Sequence, residues 1–230
     1  MGLDFIEDAE VREQIKKDTL EELEKREQKI SDGTADAQTY IDIVSFYYSL
    51  YDDKELIKSK ADTAIEFVGR DIRNGFEKPV DYVNLGKIYH LIDEHKTAIE
   101  HYNTALKLHP DFVPALLGRA AANSWLLTFK REPLAFEKAE NDLKRVIELE
   151  PNNVEAYREM TYLYQGCLLY DKAIEVAEKL VELSPDDEWR LESAKSCSDI
   201  ASQANKQSNI ILIIIVLVVL AVGIVSALLT

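Results

Sequence analysis

Residues 79–112 of the chain, PVDYVNLGKIYHLIDEHKTAIEHYNTALKLHPDF, decide its fold. Gly86 and Ala98 are small at the positions where two antiparallel helices would cross, and bulkier side chains fill the space between those helices. Pro110 cannot continue a helix and therefore ends the second one. The residues that make up this pattern are Tyr82, Leu85, Gly86, Tyr89, Ala98, Tyr102, Ala105 and Pro110. The stretch predicts a pair of antiparallel helices.

The same pattern returns downstream, once closely and once in a stretched form. Residues 154–187 repeat it with Tyr157, Met160, Tyr164, Ala173, Ala177, Leu180 and Pro185. Residues 113–153 form the stretched copy, in which Arg119 takes a position that is apolar elsewhere. Its seven extra residues fall around 127–134, and the polar run 130–133 predicts that they lengthen the turn between the helices.

The spacing of these residues resembles the tetratricopeptide repeat (TPR) motif over residues 79–187. The resemblance implies an all-α fold, a TPR-type α-solenoid of antiparallel helix pairs. It also implies a concave groove lined by the first helix of each repeat, and a function in protein–protein interaction. TPR co-chaperones that bind the acidic tails of heat-shock chaperones need Lys and Arg where this chain has Pro114 and Gly118. Although Asn84 matches that clamp, chaperone-tail binding is disfavoured.

Groove-facing positions follow from the resemblance. They are Asn84, Lys87, His90, Leu117, Ala121, Trp125, Arg158, Tyr162 and Gln165, together with Val83, Leu91, Ser124 and Glu159. A surface that combines Lys and Arg with Tyr and Trp suits an extended peptide or a helix with apolar anchors. Instead of facing a partner, the Trp125 ring could pack against the seven extra residues around 127–134.

The flanking segments complete the predicted organisation. Residues 35–78 carry two apolar stripes at helical spacing and predict a divergent helix pair. Residues 1–34 predict a charged helical arm, which could dock on the repeats, occupy their groove or stay loose. Residues 188–209 predict a helix that caps the last repeat, followed by a short tether.

Residues 210–229 predict one transmembrane helix at the C-terminal end. This run of 20 residues consists of Ile, Leu, Val and Ala except for Gly223 and Ser226. At about 1.5 Å per residue it spans roughly 30 Å, the thickness of the hydrocarbon core of a bilayer. We expect a single-pass tail anchor with the repeats facing the cytoplasm. The uncharged Thr230 favours the endoplasmic reticulum or a prokaryotic plasma membrane over the mitochondrial outer membrane, and Gly223 with Ala227 allows a weak homodimer.

Composition excludes several other functions. The net charge of −15 argues against binding to nucleic acid or to anionic lipid. All four histidines fall within one repeat without metal-ligand spacing, so no metal is expected and His95 is expected at the surface. The chain has no phosphate-binding loop and no nucleophile elbow, so we expect no enzyme, no cofactor and no small-molecule substrate. The predicted function is a membrane-anchored adaptor; the alternative is a constitutive subunit of a membrane-bound complex.

Overall fold

The computed structural model describes residues 9–51, 53–75, 77–130, 132, 134–187, 190–196, 198–199 and 202. These residues form helices joined by short turns, and no strand occurs among them. The helices are α1 (Ala9–Ser31), α2 (Ala37–Leu50), α3 (Lys54–Arg73), α4 (Pro79–Leu91), α5 (His95–Leu108), α6 (Val113–Lys130), α7 (Leu134–Leu149), α8 (Val154–Gly166) and α9 (Tyr170–Leu183). The all-α prediction is therefore confirmed for the described part of the chain.

The chain divides into two compact units, Met1–Glu159 and Met160–Thr230. In the first unit each helix from α1 to α6 packs against the next one along the chain. In addition, α4 contacts both α2 and α6, so the first helices of successive pairs lie side by side. This double set of contacts is the packing of an α-solenoid, in which each helix pair is covered by its neighbour.

The ring of Tyr102 on α5 fills the space between α4 and α6. Tyr102 is fully buried, and the two helices approach its ring through Gly86 and Gly118. A Cβ atom at Gly86 would lie 2.6 Å from Cε1 of Tyr102, and one at Gly118 would lie 2.4 Å from Cζ. Both distances are far shorter than a van der Waals contact, so these positions accept only glycine while the ring stays in place.

The insertion in the second repeat lengthens the helices and not the turn, which corrects the prediction. Helices α6 and α7 have 18 and 16 residues, whereas α4 and α5 have 13 and 14. The helix lengths account for all seven extra residues, and three residues join the helices in both pairs. The physical reason is that residues 119–130 contain neither Gly nor Pro, so nothing in them stops the first helix.

Arg119, the residue that departs from the apolar pattern, joins three helices. Its Nε and Nη2 donate to the two carboxylate oxygens of Asp142 on α7 at 2.8 and 2.7 Å. Its Nη1 donates to Oδ1 of Asn103 on α5 at 2.6 Å. The Asp142 side chain is buried, so the bidentate pairing compensates a charge that would be costly to leave alone.

The described part of the N-terminal arm is docked. Leu23 of α1 is buried, and Arg26 pairs with Asp42 of α2 at 3.0 Å. Glu27 accepts hydrogen bonds from the Tyr47 hydroxyl at 2.9 Å and from Lys60 Nζ at 3.1 Å. Of the three alternatives for the arm, docking is therefore the one that the structure describes.

The second unit contains the end of α8, α9, a 3-10 turn at Pro185–Asp187, and helical residues 190–196. Within the predicted capping segment 188–209, the described residues 190–196, 198–199 and 202 are helical. Among the residues that the structure describes, no helix is long and apolar enough to cross a membrane. The predicted transmembrane helix at 210–229 lies outside the described residues.

Replacing Gly118 by alanine is expected to lower the free energy of unfolding by about 1–3 kcal/mol, because the new methyl group would overlap the buried Tyr102 ring. The matched control is Gly69→Ala in α3, where a Cβ atom would meet only the flexible end of Arg73 at 3.0 Å. We expect this control to be neutral or stabilising by up to about 1 kcal/mol, since alanine favours a helix interior. Urea unfolding measures both variants, and an equal loss in the two would contradict the packing described for Tyr102.

Candidate protein-interaction site

Helices α4 and α6 lie side by side and present most of the predicted groove residues of the first unit. We call the surface formed by Asn84, Lys87, His90, Leu117, Ala121 and Trp125 the α4–α6 face. The Lys87 side chain is exposed, and the other five are partly buried. The face therefore offers a cation, an amide and apolar surface within one region of the fold.

Two of the other predicted groove residues do not line this face. Val83 and Ser124 are each about 1% exposed, so they belong to the core. Leu91 and Glu159 are partly buried. The prediction that Val83 and Ser124 present side chains to a partner is wrong, because neighbouring side chains cover both positions.

Four rings at the C-terminal ends of α4 and α6 and at the start of α5 form a continuous cluster. We call His90, His95, Trp125 and Phe129 the aromatic cluster. The Nδ1 atoms of His90 and His95 lie 2.9 Å apart. The ring centroids of His95 and Trp125 are 3.8 Å apart, and those of Trp125 and Phe129 are 4.9 Å apart. Trp125 therefore packs against α5 as well as against the extension of its own helix.

His95 is only 3% exposed, so the expectation of a surface position is wrong. The sequence did not reveal this, because the residue that covers the His95 ring, Trp125, lies 30 positions away along the chain. Phe129, which the sequence reasoning also missed as a site residue, is exposed beside Trp125. The sequence feature that could have indicated Phe129 as a site residue is its apolar side chain in a long helix.

The two histidines lie in surroundings that disfavour the charged imidazolium. Burial and the neighbouring His90 lower the pKa of His95 to about 4. Burial also lowers the pKa of His90. The charged groups that face His95 are Asp93, whose carboxylate lies 3.6 Å from Nε2, and Lys130 of α6. Both imidazoles are therefore neutral at pH 7, and one Nδ1 donates to the other.

On α8 the predicted residues fall in different units. Arg158, in the first unit, is partly buried, and its Nη1 lies 3.3 Å from a Glu155 carboxylate oxygen. Tyr162 and Gln165 belong to the second unit. Tyr162 is 41% exposed, whereas Gln165 Nε2 donates to Ser193 Oγ at 3.5 Å.

The residues that define the repeats occupy packing positions. Those that are buried are Leu85, Gly86, Ala98, Tyr102, Ala105 and Ala173. The hydroxyl of Tyr82 donates to Glu77 at 2.6 Å, and that of Tyr157 donates to the carbonyl of Pro151 at 3.1 Å. The Tyr89 ring stacks on His101, with centroids 5.1 Å apart. Pro110 follows the end of α5, and Pro185 begins the 3-10 turn after α9.

The structure describes no group of three or more His, Cys, Asp or Glu side chains that could hold a metal ion. The rings of His90 and His95 connect the turn between α4 and α5 to Trp125.

Replacing His95 by alanine is expected to lower the free energy of unfolding by about 1–3 kcal/mol, because it leaves a cavity beside Trp125 and removes the partner of His90. The matched control is His109→Ala at the exposed C-cap of α5, for which we expect a change below about 0.5 kcal/mol. Thermal and urea unfolding compare the two. Equal effects would contradict the buried position of His95.

The His95→Ala variant also tests how the free energy of unfolding depends on pH. The pKa of His95 in the folded state, about 4, lies below its ordinary value of 6.5, so the unfolded chain takes up the proton first as the pH falls. Stability is therefore complete above pH 6.5 and is lost as the pH falls from 6.5 towards 4. His95→Ala should lose less stability than the parent chain across this window in urea titrations at each pH.

Comparison with known proteins agrees with this geometry. Residues 80–112 match the tetratricopeptide repeat family. No curated protein sequence matches the chain.

Three solved structures illustrate the similarity of fold. TTC0263, a thermophilic TPR protein of Thermus thermophilus, is 19% identical, with 75% of this chain and 88% of that chain covered and a TM-score of 0.57. A MamA double mutant from strain RS-1 is 21% identical, with 74% and 89% covered and a TM-score of 0.52. YrrB, a TPR protein with an unusual peptide-binding site, is 18% identical, with 77% and 86% covered and a TM-score of 0.50. The chain thus contains a tetratricopeptide repeat at residues 80–112 and has the fold of TPR proteins.

Proposed function

We propose that this chain is a membrane-anchored adaptor that binds a protein or peptide partner on the α4–α6 face. The observation that carries the proposal is the presence of accessible polar, cationic and apolar side chains on two adjacent first helices of a TPR fold. The similarity to YrrB, described as having a peptide-binding site, supports it. The proposed activity is binding alone, without catalysis, a cofactor or a metal.

The chemistry of the α4–α6 face favours a particular kind of partner. Asn84 offers both a donor and an acceptor to a peptide backbone, and Lys87 offers an exposed cation in a chain of net charge −15. Trp125 is held in place by the His95 ring and supplies a rigid apolar contact. Rigid aromatic and cationic side chains are the types that dominate binding energy at interfaces. We therefore infer a partner segment that carries carboxylates beside apolar residues.

On α8, Arg158 of the first unit and Tyr162 of the second unit are each a separate candidate for contact with a partner. The ion pair of Arg158 with Glu155 is solvent-accessible, and such pairs contribute little to stability. Tyr162 presents an exposed ring with a hydroxyl that can donate or accept. Arg158 is a cation like Lys87, and Tyr162 is aromatic like Trp125.

The membrane anchor in this proposal is residues 210–229. The support is the sequence itself, 20 consecutive residues without a charge. In this arrangement the repeats face the cytoplasm, and the membrane is the endoplasmic reticulum or a prokaryotic plasma membrane. The anchor would hold the partner close to the bilayer, where recruitment raises its local concentration.

The triple change Lys87→Ala, Arg158→Ala, Tyr162→Ala is expected to abolish partner capture and to leave the melting temperature nearly unchanged, because these side chains are at least partly accessible. The matched control replaces three exposed residues of the second helices, Glu100, Lys107 and Glu178. Affinity purification with quantitative mass spectrometry measures capture by each protein. Loss of the partner in the control alone would place binding on another surface.

Deleting residues 210–230 is expected to release the chain from membranes without loss of helical structure, since the helix pairs bury their own core. Alkaline carbonate extraction and circular dichroism measure the two properties. A truncated chain that stays in the membrane pellet, or that unfolds, would contradict the proposed anchor.

A further inference from the structure

A single proton joins His90 and His95 in the aromatic cluster. Their Nδ1 atoms lie 2.9 Å apart, which is a hydrogen-bond distance. Such a contact needs one nitrogen that carries a proton and one that offers a lone pair. When both rings are protonated, both Nδ1 atoms carry a proton and neither can accept one. The observed contact therefore exists only while at least one of the two rings is uncharged.

The surroundings of the His95 ring offer little stabilisation to a positive charge. The ring is 3% exposed, and among the described residues its Nε2 has no hydrogen-bond partner. The Asp93 carboxylate lies 3.6 Å from Nε2, beyond hydrogen-bond distance, and is itself exposed to water. His95 is also the first residue of α5, where the helix dipole disfavours a cation. A protonated His95 ring is therefore more stable in water than in this position.

The charged groups around the two histidines come from several elements of the fold. Asp93, in the turn between α4 and α5, favours protonation of the buried histidine, whereas Lys130 of α6 disfavours it. Tyr48 of α2 interacts with Asp93, and its hydroxyl stays uncharged because burial raises its pKa. Lys96 and Glu132 pair at 2.8 Å, so their charges offset each other. Burial outweighs the attraction of Asp93, because the pKa of the buried histidine falls to about 4.

The cover of the Trp125 ring depends on the histidine pair. The centroids of the Trp125 and His95 rings lie 3.8 Å apart. The other ring beside Trp125 in the cluster is Phe129, whose side chain is 52% exposed. Trp125 therefore has a buried ring on one side and an exposed ring on the other. If the His95 ring leaves its position, Trp125 loses the buried contact.

The turn that carries these rings lies at the surface. Asp93 and Glu94 are exposed, and Asp93 has a φ of 64°, a left-handed conformation that stores strain in a residue other than glycine. His95 is the buried side chain that follows the turn directly. The next core side chains of α5, Ala98 and Tyr102, lie about one and two helical turns further on. Release of the His95 ring therefore leaves the core of the helix pair in place.

We propose that His90 and His95 form an acid-operated latch on Trp125, in which protonation separates the two histidine rings and exposes the Trp125 ring to water. The latch is closed at neutral pH and opens as the pH falls. It stands on the contacts within the aromatic cluster and does not need a partner. Its consequence is weaker capture of a partner at acid pH, because Trp125 belongs to the α4–α6 face. That consequence rests on the proposed function.

The size of the effect follows from proton linkage. With the latch open the His95 ring has its ordinary pKa of 6.5, and with the latch closed its pKa is about 4. The open state therefore binds the proton more tightly and gains population as the pH falls from 6.5 towards 4. From these two pKa values the ratio of open to closed molecules is about 100-fold higher at pH 4 than at pH 7. Burial also lowers the pKa of His90, so its protonation acts in the same direction.

The test measures how readily acrylamide quenches Trp125 emission in the full chain, reconstituted in phosphatidylcholine vesicles, from neutral pH to about pH 4. Trp125 and Trp189 are the two tryptophans of the chain, so Trp189→Phe makes the emission report on Trp125 alone. Acrylamide is uncharged, and its approach does not change with the charge of the protein. We expect the quenching constant to rise at least about twofold, with a midpoint between pH 6.5 and 4, while the far-ultraviolet circular dichroism stays constant.

Matched variants assign the change to the latch. His95→Phe keeps a ring against Trp125 but takes up no proton, so its quenching constant should stay low over the whole pH range. The control His109→Ala removes an exposed histidine outside the aromatic cluster and should show the same rise as the parent chain. Both variants retain every carboxylate, so the titration of carboxylates is common to them. A rise of equal size in His95→Phe and in His109→Ala overturns the proposal.

Nitrogen NMR of the histidine rings in the parent chain is a second measurement, which does not depend on whether His95→Phe folds. The ring nitrogens of His90 and His95 report protonation directly and should titrate together with the rise in quenching. Protonation of both rings without a rise in quenching overturns the latch. A rise that accompanies loss of the circular dichroism signal is acid unfolding and overturns it as well.

The latch and the proposed function fail in different experiments. The quenching and NMR measurements contain no partner, so they test the latch alone. Failure to capture any partner at neutral pH would overturn the proposed function and leave the latch standing. Capture that is equally strong at neutral pH and at about pH 4, in a chain whose Trp125 becomes exposed, would overturn the proposed role of Trp125 in binding.

Discussion

The packing of one tyrosine ring between two glycines determines the geometry on which the rest of the first unit depends. Tyr102 of α5 occupies the space that side chains at Gly86 and Gly118 would need, so α4 and α6 both approach the ring with bare backbone. This places the two first helices side by side and creates the α4–α6 face. Gly118 is also the position where the chaperone-tail clamp needs an arginine. An arginine there would overlap the ring, so this packing and that clamp exclude each other.

The helical hairpins were predictable because local chemistry specifies them. Small residues mark the crossing of α4 and α5, and Pro110 follows the end of α5. The placement of the seven extra residues was not predictable from the polar run at 130–133, since polarity is compatible both with a turn and with an exposed helix end. The structure resolves this by continuing α6 to Lys130 and starting α7 at Leu134. The docking of α1 through Arg26 and Asp42 likewise depends on tertiary contacts that no local pattern encodes.

The candidate site was predicted less completely than the fold. The repeat register predicts which side of its helix a residue occupies. It correctly predicts that Lys87 is exposed. It does not say which neighbour covers a position, and for that reason Val83 and Ser124 were misplaced. His95 is the clearest example, because its burial depends on the Trp125 ring from the next repeat. Non-local contacts of this kind become visible only when the helices are packed together.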